Sequence, residues 1–227
     1  MNDGEIIEPE QWLSGLGEYT PLAAARLGEF VRLLTDENRS QNLVSQASLD
    51  AVWTRHVIDS AQLLKHVPHG TMPKRWLDLG TGAGFPGVVI AALLPDTEVV
   101  LVESRTRRID WLERASRALE LANVRIAGCR LEALDDRPFD AISARAFAPL
   151  DRLLDLAWRF STTETIWLLP KGRSAQLELD SLQGWQHSLR ILPSETDSAA
   201  GIIVGMVSGR KGRLTLIVLP SPIKRAV

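Results

Sequence analysis

Between Trp76 and Gly87 the chain reads WLDLGTGAGFPG, with four glycines, one proline and one carboxylate in a short span. Glycines at this density let a backbone take positive φ and come close to a ligand. An ordinary turn rarely needs so many. Gly82, Gly84 and Gly87 meet the G-x-G-x-x-G spacing of dinucleotide-binding loops, a weak signal when it stands alone. Two neighbours argue against a pyrophosphate. Pro86 removes an amide donor near the start of the next helix, where a phosphate draws on every N–H. Asp78 sets a carboxylate two residues ahead of Gly80. A ligand with a sulfonium, an amine and a ribose, and no phosphate, suits such a loop. S-adenosylmethionine is one. Glu103, 23 residues beyond Gly80, is placed to accept both ribose hydroxyls. Both cofactors carry that ribose, so Glu103 supports an adenosine ligand without choosing between them.

Other residues offer less. The single cysteine, Cys129, excludes an internal disulfide framework and a cysteine-rich zinc site; it reads as a small buried filler. His56 and Asp59 stand three apart in a helical run and share a face, either as a pocket wall or as a paired helix surface. Asn38 and Asn42 read as a helix-ending turn. Arg105, Arg107, Arg108, Lys171, Arg173 and the Arg210–Arg213 cluster are candidates for phosphate contact, which adds affinity without sequence information.

The elements that must position these residues follow from periodicity. Leu27, Phe30, Val31 and Leu34 keep helical spacing, and a second helical run covers about 49–64. From Arg75 strands alternate with helices: RWLDL, then PGVVIAALL with Pro86 in its first turn, EVVLVE, a helix over 105–121 burying Ile109, Leu112, Ala115 and Leu119, VRIA, FDAISA, a helix over 150–160, and TIWLLP. That alternation implies βαβ units and a parallel sheet covered on both faces. HSLRIL, GIIVGMV and RLTLIVL then suggest hairpins closing one edge. The expected architecture is α/β, mostly parallel with an antiparallel edge. An N-terminal helical extension over 1–70 precedes a domain over 71–227.

The chain has 227 residues, 45% of them hydrophobic, and a formal net charge of -2, so it is not a polycation built to coat nucleic acid. The acidic start offers no secretory signal, and no apolar run approaches membrane-spanning length. The expectation is a cytoplasmic protein with no membrane contact, without a metal site.

LDLGTGAGFPG resembles motif I of class I methyltransferases. With NRSQNLV and HVIDS ahead of it and LVESRTRR, ISARAFAPL and LPKGR after it, in that order, residues 27–175 resemble the bacterial small-subunit ribosomal RNA guanine-N7 methyltransferases, the RsmG (GidB) family. The resemblance implies a Rossmann-like class I fold and S-adenosylmethionine as cofactor. It implies methyl transfer to N7 of a guanine in 16S ribosomal RNA, within the small ribosomal subunit, by a monomer. The cofactor contacts it implies are Gly80 and Phe85, with Gly82 beside them, Glu103 for the ribose, Leu131 and Glu132 about the adenine, and Arg145 near cofactor and substrate. Guanine N7 has a free lone pair, so no general base is required and no residue is assigned as one. The rival readings are a methyltransferase of a small molecule or protein on the same fold, and a binding module without catalysis.

Overall fold

The computed structural model describes residues 8–68 and 72–210. Helix α1 (Pro9–Ser14) leads into α2 (Pro21–Glu37). Pro21 opens α2, where its missing N–H is no loss, and the Thr20 hydroxyl accepts from the Ala23 amide at 3.2 Å. The apolar stripe of α2 buries Ala23, Leu27, Phe30 and Leu34. Short α3 (Gln46–Leu49) follows, then one helical run that changes pitch twice: a π-helical turn over Trp53–Ile58, α4 (Asp59–Ala61) and a 3-10 turn over Gln62–His66. Asn38 ends α2 as a turn residue. Its side chain donates to the Val44 carbonyl and accepts from the Val44 amide, at 3.1 and 3.0 Å.

The sheet begins at β1 (Arg75–Leu79). It continues through α5 (Gly87–Leu93), β2 (Glu98–Val102), α6 (Thr106–Ala118), β3 (Val124–Ala127), β4 (Ala141–Ala144), α7 (Leu150–Ala157), β5 (Ile166–Lys171), α8 (Ala175–Asp180), β6 (Trp185–His187), β7 (Arg190–Pro193) and β8 (Gly201–Arg210). The strand order is β3-β2-β1-β4-β5-β8-β6, with β7 also paired to β8. The first five strands are parallel, and β8 runs antiparallel to β5, β6 and β7. The parallel sheet and antiparallel edge agree with the sequence reading; the RLTLIVL segment lies outside the described residues. Strands buried on both faces split their side chains between two cores. Trp76, Val99 and Leu101 join the core under α1, α2, α5 and α6, while Leu77, Leu79, Val100 and Val102 join the one under α7. The N-terminal helices have no core of their own; Leu13, Leu27 and Phe30 pack in one cluster with Val88 and Trp111.

One expectation changes, and one element carries no signal. Trp111, not Ile109, is the large buried side chain of α6, because the stripe through Trp111, Leu112, Ala115 and Leu119 faces the sheet and Ile109 lies at its margin beside Gly128. Helix α8 has no apolar stripe to announce it, since only Ala175 is buried. Among the described residues no helix is long and apolar enough to cross a membrane.

Candidate active site

The glycine loop is held from below by a buried polar chain. The Trp76 indole donates to Ser143 Oγ at 2.8 Å, and Ser143 donates to Asp78 Oδ1 at 2.7 Å. Asp78 Oδ2 accepts from the Gly87 amide at 2.9 Å. One carboxylate thus ties β1 to β4 and to the first turn of α5, where the helix dipole favours negative charge. Burial pushes the Asp78 carboxyl above its usual range, while Ser143 and the Gly87 amide pull it back. This corrects the sequence reading. Asp78 is fully buried, points into the fold and lines neither cavity described below. Gly87 is a packing glycine, because a Cβ there would overlap Leu101 and Asp78. From above, Trp111 Nε1 donates to the Ala83 carbonyl at 3.0 Å and pins the loop to α6.

A cavity of about 460 Å³ opens at the carboxyl ends of β1 and β2, where open α/β sheets bind ligands. Gly80, Glu103, Leu131 and Glu132 line it together, with Cys129 in the wall. Glu103 is nearly buried. Its Oε1 accepts from the Ser104 and Arg105 amides at 2.8 and 2.9 Å, and Arg108 stands 3.7 Å from Oε2. Oε1 is therefore fixed by backbone, and among the described residues Oε2 makes no hydrogen bond. Gly80 takes φ +63°, and a Cβ there would meet the Phe147 ring at 2.6 Å. Gly82 and Phe85 do not line the cavity. Gly82 serves the turn at φ +60°, and Phe85 is buried against Phe30 and His56, 5.2 and 4.7 Å between ring centroids. Cys129 is half-buried in the cavity wall rather than a core filler.

A second cavity, about 750 Å³, lies next to the first. The two share one wall, Ala146–Pro149, the segment that follows β4. Arg145 lines the larger cavity. It donates to Asp59 Oδ2 and the Arg55 carbonyl, both at 3.2 Å, and its guanidinium lies 5.2 Å from the Phe85 ring centre. Asp59 therefore pairs with Arg145, and its Oδ1 accepts from Gln62 and Thr196. His56 lines the same cavity and makes no hydrogen bond to Asp59. Its imidazole is pushed down to about 4 by burial, with the Arg145 and Arg55 charges acting the same way and the Arg55 carbonyl opposing weakly. It is neutral near pH 7. Lys171 is withdrawn from the phosphate-contact set, because its ammonium is held by Glu178 at 2.8 Å and the Ala148 carbonyl at 2.9 Å. Arg210 pairs with Asp155; Lys211 and Arg213 lie outside the described residues.

Arg159 carries no sequence signal and is part of the site's support. One of its nitrogens donates to the carbonyls of Leu131, Glu132 and Leu134 at 2.7, 3.0 and 2.9 Å. It shapes the 3-10 turn Leu131–Ala133 that walls the smaller cavity. No spacing rule connects it to a turn 25 to 28 residues away.

A parallel sheet in the order 3-2-1-4-5, an antiparallel strand inserted beside β5 and a glycine turn after β1 define a class I methyltransferase fold. Among solved structures, a SAM-dependent methyltransferase from Aquifex aeolicus superposes with a TM-score of 0.55 at 15% identity, covering 75% of this chain and 97% of that one. The family model described as rRNA small subunit methyltransferase G matches residues 23–199. Curated relatives bearing the name ribosomal RNA small subunit methyltransferase G are 52% identical over 90% of this chain and 90% of theirs in Novosphingobium aromaticivorans, and 48% identical over 91% and 97% in Rhizorhabdus wittichii. The chain belongs to the rRNA small subunit methyltransferase G family.

Proposed function

We propose that this protein transfers a methyl group from S-adenosylmethionine to N7 of a guanine in 16S ribosomal RNA of the small ribosomal subunit. The observation that carries the reading is the pair of cavities sharing the Ala146–Pro149 wall, one for cofactor and one for base. The smaller cavity suits the cofactor on this chain's own geometry. Glu103 lines it with Oε1 anchored by backbone and, among the described residues, no hydrogen bond at Oε2, which leaves that oxygen to accept from a ribose diol beside Arg108. Leu131 and Glu132 flank the adenine, and the Gly80 backbone lines the methionine end. When bound, S-adenosylmethionine supplies an electrophilic methyl on a sulfonium.

The remaining chemistry is positioning. Guanine N7 attacks with a lone pair already in place, so the protein does not need to remove a proton. Holding N7 in line at near-attack distance contributes about 7–11 kcal/mol by itself. Arg145, fixed by Asp59 and the Arg55 carbonyl, presents its remaining donors to the larger cavity and orients the O6 edge or a phosphate. Exposed Arg105, Arg130 and Arg152 surround the smaller cavity and contribute to RNA affinity. The test is label transfer from methyl-tritiated cofactor to unmethylated small subunits, followed by nucleoside analysis. 7-Methylguanosine is the expected product; label confined to protein or a small molecule would overturn the reading.

A further inference from the structure

The wall between the two cavities is held by side chains rather than by its own backbone. Among the described residues, Ala146, Phe147 and Ala148 make no backbone–backbone hydrogen bond. Ala146 takes φ +52°, a left-handed conformation that a residue with a Cβ keeps only where its surroundings impose it. One ion pair supplies two of the fixings. Lys171, at the end of β5, donates to the Ala148 carbonyl at 2.9 Å and to Glu178 Oε2 at 2.8 Å. Glu178 Oε2 also accepts from the Leu150 amide at 2.9 Å, and Oε1 accepts from the Ser174 hydroxyl at 2.8 Å. Leu150 opens α7, and Pro149 before it gives that helix no side-chain cap. Glu178 supplies the missing acceptor from α8, where the first amides of a helix need one. Burial alone would raise the Glu178 carboxyl, but the bonds from Lys171, Ser174 and the Leu150 amide hold it below the ordinary range. It carries its charge near pH 7.

We propose that Glu178 is a positioning residue: with Lys171 it braces the Ala146–Pro149 wall, and through the wall it aligns the target guanine with the cofactor's methyl group. The proposal rests on the methyltransferase reading above. The wall lines both cavities, so its place sets the distance and angle between what they hold. Attack by N7 needs no proton removed, which leaves alignment as the main work of the protein. A misplacement of about 1 Å costs on the order of a hundredfold in rate. Glu178 and Lys171 line the larger cavity too, but their charged atoms bond to each other and to the wall. Glu103, Leu131 and Glu132 line the smaller cavity from other elements, so cofactor affinity does not depend on the brace.

The test measures single-turnover methylation of unmethylated small subunits at saturating cofactor, with cofactor affinity by calorimetry and subunit affinity by filter binding. Glu178→Leu is expected to bind both within about threefold of wild type and to methylate about ten- to a hundredfold more slowly. Glu178→Gln keeps a carbonyl oxygen for the Leu150 amide and Lys171, and should recover most of that loss. Glu178→Leu also strands the ammonium of Lys171, whose side chain is 10% exposed, and a stranded charge can disturb the fold by itself. The double variant Lys171→Met with Glu178→Leu removes both charges and separates the two effects: it should melt like wild type and stay slow.

A wild-type rate in the double variant overturns the proposal, and so does a wild-type rate in Glu178→Leu. A loss carried by weaker cofactor or subunit affinity overturns it too, as does Glu178→Gln no faster than Glu178→Leu. Wild type that forms no 7-methylguanosine would remove the parent reading as well, whereas active wild type with unaffected variants removes this proposal alone.

Discussion

Gly80 shows how one missing side chain can define a site. At φ +63°, with Phe147 standing 2.6 Å from where a Cβ would go, any side chain is both strained and in collision. Gly80→Asp adds a charge at the same point. Calorimetry should show cofactor binding lost with the fold retained by circular dichroism; affinity within threefold of wild type would assign the glycine to packing. His56 gives a pH effect of defined sign. Its folded-state value of about 4 lies below the ordinary 6.5, with burial the main cause and the charges of Arg145 and Arg55 adding to it. The stability this contributes is present above pH 6.5. It is lost as pH falls towards 4, because the unfolded chain takes up a proton that the folded one refuses. Denaturant melts at pH 7 and pH 5 should therefore show wild type losing more stability than His56→Phe. Equal losses would place the imidazole in a wetter setting than the structure gives it.

At the scale of elements, the walls of the site are set by contacts distant in sequence. The 3-10 turn Leu131–Ala133 is a short segment that presents three carbonyls to Arg159. Arg159→Ala should loosen the turn, weakening cofactor binding about tenfold, while kcat at saturating cofactor changes little. A larger drop in kcat than in affinity would contradict this. Helix α6 ends with Glu120 at φ 52°, the left-handed position after the cap, and the Leu121 amide returns to the Ser116 carbonyl at 3.0 Å. Glycine is the residue such a terminus favours. Glu120→Gly should raise stability by about 1 kcal/mol and the melting temperature by about 2–4 °C. A lower melting temperature would show that the glutamate side chain makes a compensating contact. Arg26, on α2, holds the same terminus by donating to the Leu119 and Glu120 carbonyls at 3.0 and 2.7 Å, which is how the N-terminal helices lock onto the sheet layer.

For the whole molecule, charge decides how RNA can be gripped. A formal charge of -2 leaves no excess for a long basic groove. At the smaller cavity a short cluster of three arginines, Arg105, Arg130 and Arg152, is exposed. Lys171 is committed to Glu178 and Arg210 to Asp155. Short clusters suit phosphates whose spacing is already fixed, because a preformed target loses less entropy on binding than a flexible strand. Unmethylated small subunits should therefore be methylated faster than naked ribosomal RNA at every salt concentration tested. Equal or faster reaction on naked RNA would show that the clusters order the strand themselves, and would leave the cofactor site untouched.

The alternation of apolar strands and helices from Arg75 onward determined the parallel sheet, because strands covered on both faces must be apolar almost throughout and their connections must be helical. The glycines after β1 and the acid after β2 marked the ligand edge for a similarly local reason: a turn with positive φ leaves its trace in residue type. What the sequence did not determine was direction and partnership. Asp78 stood beside the loop in sequence and proved to face inward, satisfied by Ser143 from β4 and the Gly87 amide. Phe85 stood in the loop and packed beneath it against Phe30. Asp59 shared a helix face with His56 but paired with Arg145, 86 residues away. Arg159 reached a turn that no periodicity links to it. Periodicity records which face a side chain takes. Only the tertiary structure decides which distant group meets it there, because a hydrogen bond depends on position in space and leaves no regular spacing along the chain.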